Sequence, residues 1–148
     1  MSNVRRTNKW RRFTQLDGAD KWLLLRAMGW LAIARIMLVA MSFERLSARL
    51  SATSNSTQVE PDQELLERIG FAVSAAANNV PWRSDCFPQT IAARMLLERY
   101  GYASTIHFGV ERAGEDVLKG HAWLTCGETA VIGAAELHRY AEIHRLGE

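Results

Sequence analysis

Two residues of this 148-residue chain have the types and positions that covalent chemistry needs. Cys86 heads the stretch CFPQTIAARMLLERYG, in which Ile91, Met95 and Leu96 fall on one helical face and Gly101 is suited to terminate the helix. A thiol at a helix start faces the positive end of the aligned peptide dipoles, which favours the thiolate, the attacking form. The N–H groups of that first turn can also hold the oxyanion formed when sulfur adds to a carbonyl. Pro88 is tolerated there, because its missing N–H would have had no helical partner. The competing reading is a small apolar cysteine packed beneath the helix.

His121 lies in KGHAWLT, with Trp123 two residues on and therefore on the same face of an extended chain. A strand carrying an imidazole across the start of the Cys86 helix would take the thiol proton and return it to the leaving group. A structural histidine explains the same residue less specifically, since it does not account for the cysteine-opened helix upstream. Other candidates are weaker. Cys126 falls in the turn beyond the histidine strand, and Cys86, His121 and Cys126 lack the close spacing of a metal site. His107 points away from its strand's apolar side and reads as solvated, while His138 and His144 belong to a polar tail. No glycine-rich phosphate loop is present, so no cofactor is expected.

The elements that must position these residues follow from periodicity. Asp17 or Asp20 can cap a helical region over about 20–49, where Trp22, Leu25, Met28, Gly29, Ala32, Ile36, Val39 and Phe43 recur at helical spacing. Arg26, Arg35, Arg45 and Arg49 are scattered around it, which suggests two helices with a bend near Gly29 or Ser42. SATSNSTQ (51–58) has loop composition. Pro61 starts a second helix, which carries Leu65, Leu66, Ile69, Val73 and Ala76 and runs to about Asn78; NNVPWRS then breaks the pattern before Cys86, with Asp85 as that helix's cap. STIHFGVER, VLKGHAWLT and TAVIG read as three strands of an antiparallel meander, with AGED and CGE as the connections and the tail after Gly133 as helix or coil. Helices followed by a small antiparallel sheet define an α+β fold. The organisation expected is a basic, apolar helical front region (1–58) and a core (59–148).

Composition bounds the rest. Apolar residues make up 48% and charged residues 23%, an ordinary globular mixture. Two cysteines provide no disulfide framework, which suits a reducing cytoplasm. The net charge of +2 is uneven: residues 1–49 carry ten Lys/Arg against three Asp/Glu (+7), the remainder eight against thirteen (−5). A basic front half can fit nucleic acid, an anionic membrane surface or an acidic partner, but is more often a solvated helix face, and no nucleic-acid partner is expected. Arg26 and Arg35 cut the apolar stretch WLLLRAMGWLAIARIMLVAMSF into runs shorter than the roughly 18–20 residues that a spanning segment needs.

The stretch CFPQTIAARMLLERYGYASTIHFGVERAGEDVLKGHAWLTCGETAVIG resembles the transglutaminase-like domain of the leader peptidases of lasso peptide biosynthesis. The cysteine that opens the helix, AARMLLERYGYAS, IHFGV, HAWL and the turn before VIG carry the resemblance, and the upstream NNVPWRSDC and RRFTQLDGADKWLLLRAMGWLAIAR extend it. It implies a papain/transglutaminase-like core with Cys86 as nucleophile and His121 as general base and then acid. It further implies removal of the leader from a ribosomally made precursor peptide, ahead of ring closure by a separate asparagine-synthetase-like cyclase. Some members carry a fused leader-recognition domain; this chain resembles the split form, which relies on a separate recognition protein. Where related enzymes orient the histidine with Asp or Asn, His121 is expected to pair across near Gly133, so Glu136 or a backbone carbonyl would have to serve. Trp82 and Trp123 are candidate walls of the substrate groove. An acyltransferase of the same fold is the nearest alternative, and a non-catalytic adaptor the alternative from another class.

Overall fold

The computed structural model describes residues 16–52, 60–112, 114, 117–135 and 137–147. Much of the loop read at 51–58 and the candidate Glu136 lie outside these described residues. Among the described residues, four helices precede the sheet: α1 (Gly18–Ala40), α2 (Phe43–Ser51), α3 (Gln63–Ala77) and α4 (Cys86–Arg99). The strands β1 (Thr105–Arg112), β2 (Leu118–Cys126) and β3 (Thr129–Ile132) follow, then a short 3-10 turn (Leu137–Arg139) and β4 (Ala141–Leu146).

Local chemistry sets the helix limits. The Asp17 carboxylate accepts from the Gly18 N–H at 2.7 Å and caps α1. Asp20 instead binds Arg68 of α3, with Oδ1 2.7 Å from Nη2, and so joins the two helices. The front region breaks at Met41–Ser42, where Ser42 caps α2. Asp62 caps α3 through the Glu64 N–H at 3.0 Å. Pro61 therefore stands before the cap and not in the first turn, because the aspartate one residue later offers the orphan N–H groups a better acceptor.

The buried face of α1 is Leu23, Leu24, Ala27, Leu31, Ala34 and Met37. This corrects the stripe read from the sequence, in which Trp22, Leu25, Ile36, Val39 and Phe43 are exposed. The helix is apolar on both sides, so periodicity alone could not say which side enters the core. Leu31, Ile69, Val73, Ile91, Leu96, Ile106 and Leu124 are all shut off from solvent in one core that joins the helices to the sheet.

The sheet has four antiparallel strands in the order β3-β2-β1-β4, not three. β4 lay within the tail read as helix or coil. Only Leu146 of its six residues is buried, so no apolar alternation marks it. It is an edge strand, held by pairing to β1 and by Leu146 against Ile106. α4 lies across β2, β3 and β1, and α3 reaches β3, so the helices cover one face of the sheet.

A buried arginine closes this arrangement. Arg94 of α4 is 3% exposed and donates through Nη1 to the carbonyl oxygens of Ser104, before β1, and of Leu146, at the end of β4. Its Nε lies 3.2 Å from Glu98 Oε1, off the hydrogen-bonding line. Burial pulls the guanidinium below its usual pKa, and Glu98 opposes that shift.

Candidate active site

Cys86 is the first residue of α4 and is partly exposed. The Asp85 side chain makes no capping hydrogen bond to the helix and lies 3.6 Å from Arg83, which corrects the capping role read for it. Pro88 has no N–H, and the Gln89 N–H reaches the Asp85 carbonyl at 3.4 Å. Among the described residues the N–H groups of Cys86 and Phe87 have no acceptor, so two donors remain at the thiol. Gln89 and Thr90 fasten this turn through side-chain bonds to the Ser84 and Phe87 carbonyls, each at 2.8 Å.

Phe87 fixes the helix start on the sheet. Its ring packs edge-on against Phe108 of β1 at 5.0 Å, and Phe108 pairs with Ala122, the neighbour of His121. The ladder between β2 and β3 ends at Leu124–Ile132, so β2 runs back through His121 with a strand partner on one side only. His121 thus sits at a notch in the sheet edge, close along the chain to where the start of α4 docks.

Strand alternation divides the side chains of β2. Leu124 and Cys126 enter the helical core, while His121, Trp123 and Thr125 project from the other face. There Tyr140, His121, Trp123 and His107 form a stacked row, with centroid separations of 4.7, 6.2 and 5.3 Å in turn. His121 Nε2 lies 3.0 Å from the carbonyl oxygen of Gly133. A carbonyl only accepts, so Nε2 is the donor, and in the neutral ring Nδ1 holds the lone pair that a base needs. Gly133 adopts φ +74°, and a Cβ there would lie 2.8 Å from the Ala122 carbonyl oxygen and 3.2 Å from Nε2. Gly109, directly opposite His121, leaves the space that Trp123 and Tyr140 occupy: a Cβ would come within 2.8 Å of the one and 3.0 Å of the other. No hydrogen bond joins Cys86 to His121 among the described residues.

The remaining sequence candidates fall as follows. Cys126 ends β2, 3% exposed, on the face opposite His121, and burial pushes its thiol pKa up. Trp82 is half-buried with its indole N–H unpaired, and Trp123 lies inside the aromatic row. His107 is not solvated. Its Nδ1 lies 3.1 Å from Glu142 Oε2 and its Nε2 2.9 Å from Thr125 Oγ1, because β4 brings Glu142 alongside. His144 is likewise a strand residue, opposite Phe108, with the rings 6.2 Å apart. Sequence reasoning missed Tyr140, whose only signal is an aromatic residue in an otherwise polar tail.

A helix-start thiol beside an antiparallel sheet that bears a tautomer-fixed histidine is the equipment of an acyl-transferring cysteine enzyme. The chain belongs to the transglutaminase-like superfamily, whose family model matches residues 30–145. Members of that superfamily are typically cysteine-dependent enzymes. No curated protein and no solved structure matches the chain.

Proposed function

We propose that the chain is a cysteine peptidase that removes the leader from a lasso peptide precursor, using Cys86 as nucleophile and His121 as general base and acid. The observation that carries this reading is the His121 Nε2–Gly133 bond, which leaves Nδ1 as the basic nitrogen in a chain whose family depends on cysteine. The motif resemblance around Cys86 and HAWL supplies the substrate class. This reading requires Sγ to meet Nδ1 around the sheet edge left open where β3 ends, because α4 and the His121 side chain lie on opposite faces of the sheet.

The steps then balance. The Cys86 thiol passes its proton to His121 Nδ1 as sulfur bonds to the scissile carbonyl carbon, and the N–H groups of Cys86 and Phe87 receive the oxyanion. The C–N bond breaks as Nδ1–H protonates the departing amine. Water then gives a proton to Nδ1 and its oxygen to the thioester, releasing the leader acid and free Cys86. The chain works with a separate leader-recognition protein and passes the freed core amine to an asparagine-synthetase-like cyclase, in the cytoplasm.

Incubating precursor, recognition protein and this chain, followed by mass spectrometry, tests the reading. Leader and core peptides should appear with the wild type and not with Cys86→Ala. Cleavage by Cys86→Ala at the wild-type rate would overturn the nucleophile assignment. Transfer of the acyl group to an added amine, with no free acid formed, would make the chain an acyltransferase instead.

A further inference from the structure

The face of α1 turned away from the core is as apolar as the face within it. Trp22, Leu25, Ile33, Ile36 and Val39 are between 42% and 75% exposed, and Phe43 at the head of α2 is 61% exposed. With Gly29 among them, the α1 positions recur every three or four residues and so share one side of the helix over about 25 Å of axis. The opposite stripe is buried in the core, with Ala27, Leu31 and Ala34 fully so. Exposed Arg35 stands on the same helix, α2 carries exposed Arg45 and Arg49 beside Glu44, and the sequence of residues 1–49 has a net charge of +7. We propose that this outward face of α1 lies on an anionic lipid surface, with the helix axis in the plane of the membrane.

The observations select lipid over other occupants. A second copy would bring like-charged flanks together, since exposed Arg35 stands on the same helix as the stripe, and that charge opposes self-association. A specific protein interface carries about one hydrogen bond per 100–200 Å² to fix its register. Apart from the Trp22 indole, the stripe offers no side-chain group for that purpose. A lipid boundary needs only apolar side chains, an interfacial tryptophan and flanking cations. α1 is long and apolar enough to cross a bilayer by length and composition, but its buried stripe keeps it against the protein core. The helix therefore lies on the membrane and does not span it. The proposal stands whether or not the chain is a peptidase.

Cosedimentation of the full chain with vesicles tests it, using phosphatidylcholine alone and a mixture of phosphatidylcholine and phosphatidylglycerol. Partitioning into the anionic vesicles should exceed that into the neutral ones by at least about 10-fold and weaken as salt is raised. The pair Ile36→Ser and Val39→Ser, both outward positions, should lower partitioning by about 10-fold or more while the circular dichroism spectrum stays unchanged. Arg35→Glu with Arg49→Glu should reduce the preference for anionic lipid. Failure to sediment with either vesicle, or equal binding by the Ser pair, would overturn the proposal. So would a dimer in lipid-free buffer that the Ser pair dissociates, which would assign the stripe to a second copy.

Discussion

The ring of Tyr140 stacks on the imidazole of His121 at a centroid separation of 4.7 Å, with an interplanar angle of 28°. Together with the Gly133 carbonyl on Nε2, it leaves the histidine little freedom to turn. Tyr140 is thus a positioning residue for the proposed base. Tyr140→Phe keeps the ring and should cleave precursor at close to the wild-type rate. Tyr140→Ala should lower kcat while leaving KM nearly unchanged, and should alter the acid limb of the rate profile. An equal loss in both variants would refute a role for the ring.

Gly133 is predicted to tolerate no side chain. The +74° backbone and a Cβ contact of 2.8 Å with the Ala122 carbonyl make Gly133→Ala strained by about 1–3 kcal/mol. Displacing this segment also moves the acceptor for Nε2. Urea unfolding should show the loss of stability, and precursor cleavage should fall further than stability alone explains.

The two cysteines should differ in reactivity. Cys86 is partly exposed at a helix start, whereas Cys126 is buried and its thiol pKa is pushed up by burial. Peptide mapping after brief iodoacetamide treatment near pH 6 should find the label on Cys86. Cys126→Ala should leave cleavage intact. Faster labelling of Cys126 in the native chain would contradict the placement of both residues.

His121→Ala should slow cleavage at neutral pH by at least about 100-fold. The double variant with Cys86→Ala should be hardly worse than either single one if the two residues act as the proposed unit. His144 provides the contrast: its ring neighbours Phe108, the residue on which Phe87 and the helix start rest. His144→Ala should retain most activity. The reverse ranking would move the base from β2 to β4.

Acidification should loosen the β4 edge. Glu142 is held below the usual carboxylate range, chiefly by its hydrogen bond from Arg145 and less by His107. A depressed folded pKa contributes stability above the unfolded value, and this is lost as pH falls through the folded one. Because Glu142 is about one-third exposed, the effect is small. The difference in thermal midpoint between wild type and Glu142→Gln should therefore shrink as pH is lowered below the ordinary carboxylate range.

Much of the core was legible because each element carried one dominant signal. The Cys86 helix begins after a clear break at NNVPWRS and ends at Gly101, although its burial extends nearly all round and not along one face, and the strands through Ile106 and Leu124 end at recognisable turns. α1 was harder, since two apolar stripes compete and only packing against α3 and α4 chooses between them. β4 was illegible because Ile143 and His144 face solvent and pairing to β1 alone makes the segment a strand. The environment of His107 and the Tyr140 stack both depend on that strand, and so were hidden with it. Glu136 remains a sequence candidate outside the described residues.

The Arg94 clamp sets an order on how the protein can mature. Its guanidinium is enclosed on α4 but needs a carbonyl from Leu146, 52 positions further along the chain. A nascent polypeptide that has emerged only through β3 already contains Cys86, His121 and Gly133, yet lacks both this acceptor and the β4 partner of β1. Until β4 arrives, a cation bound for the interior lacks part of its solvation, which disfavours closing the helices onto the sheet. A partly synthesised molecule that carries Cys86 and His121 thus lacks the sheet edge and the buried acceptor that complete the fold around them.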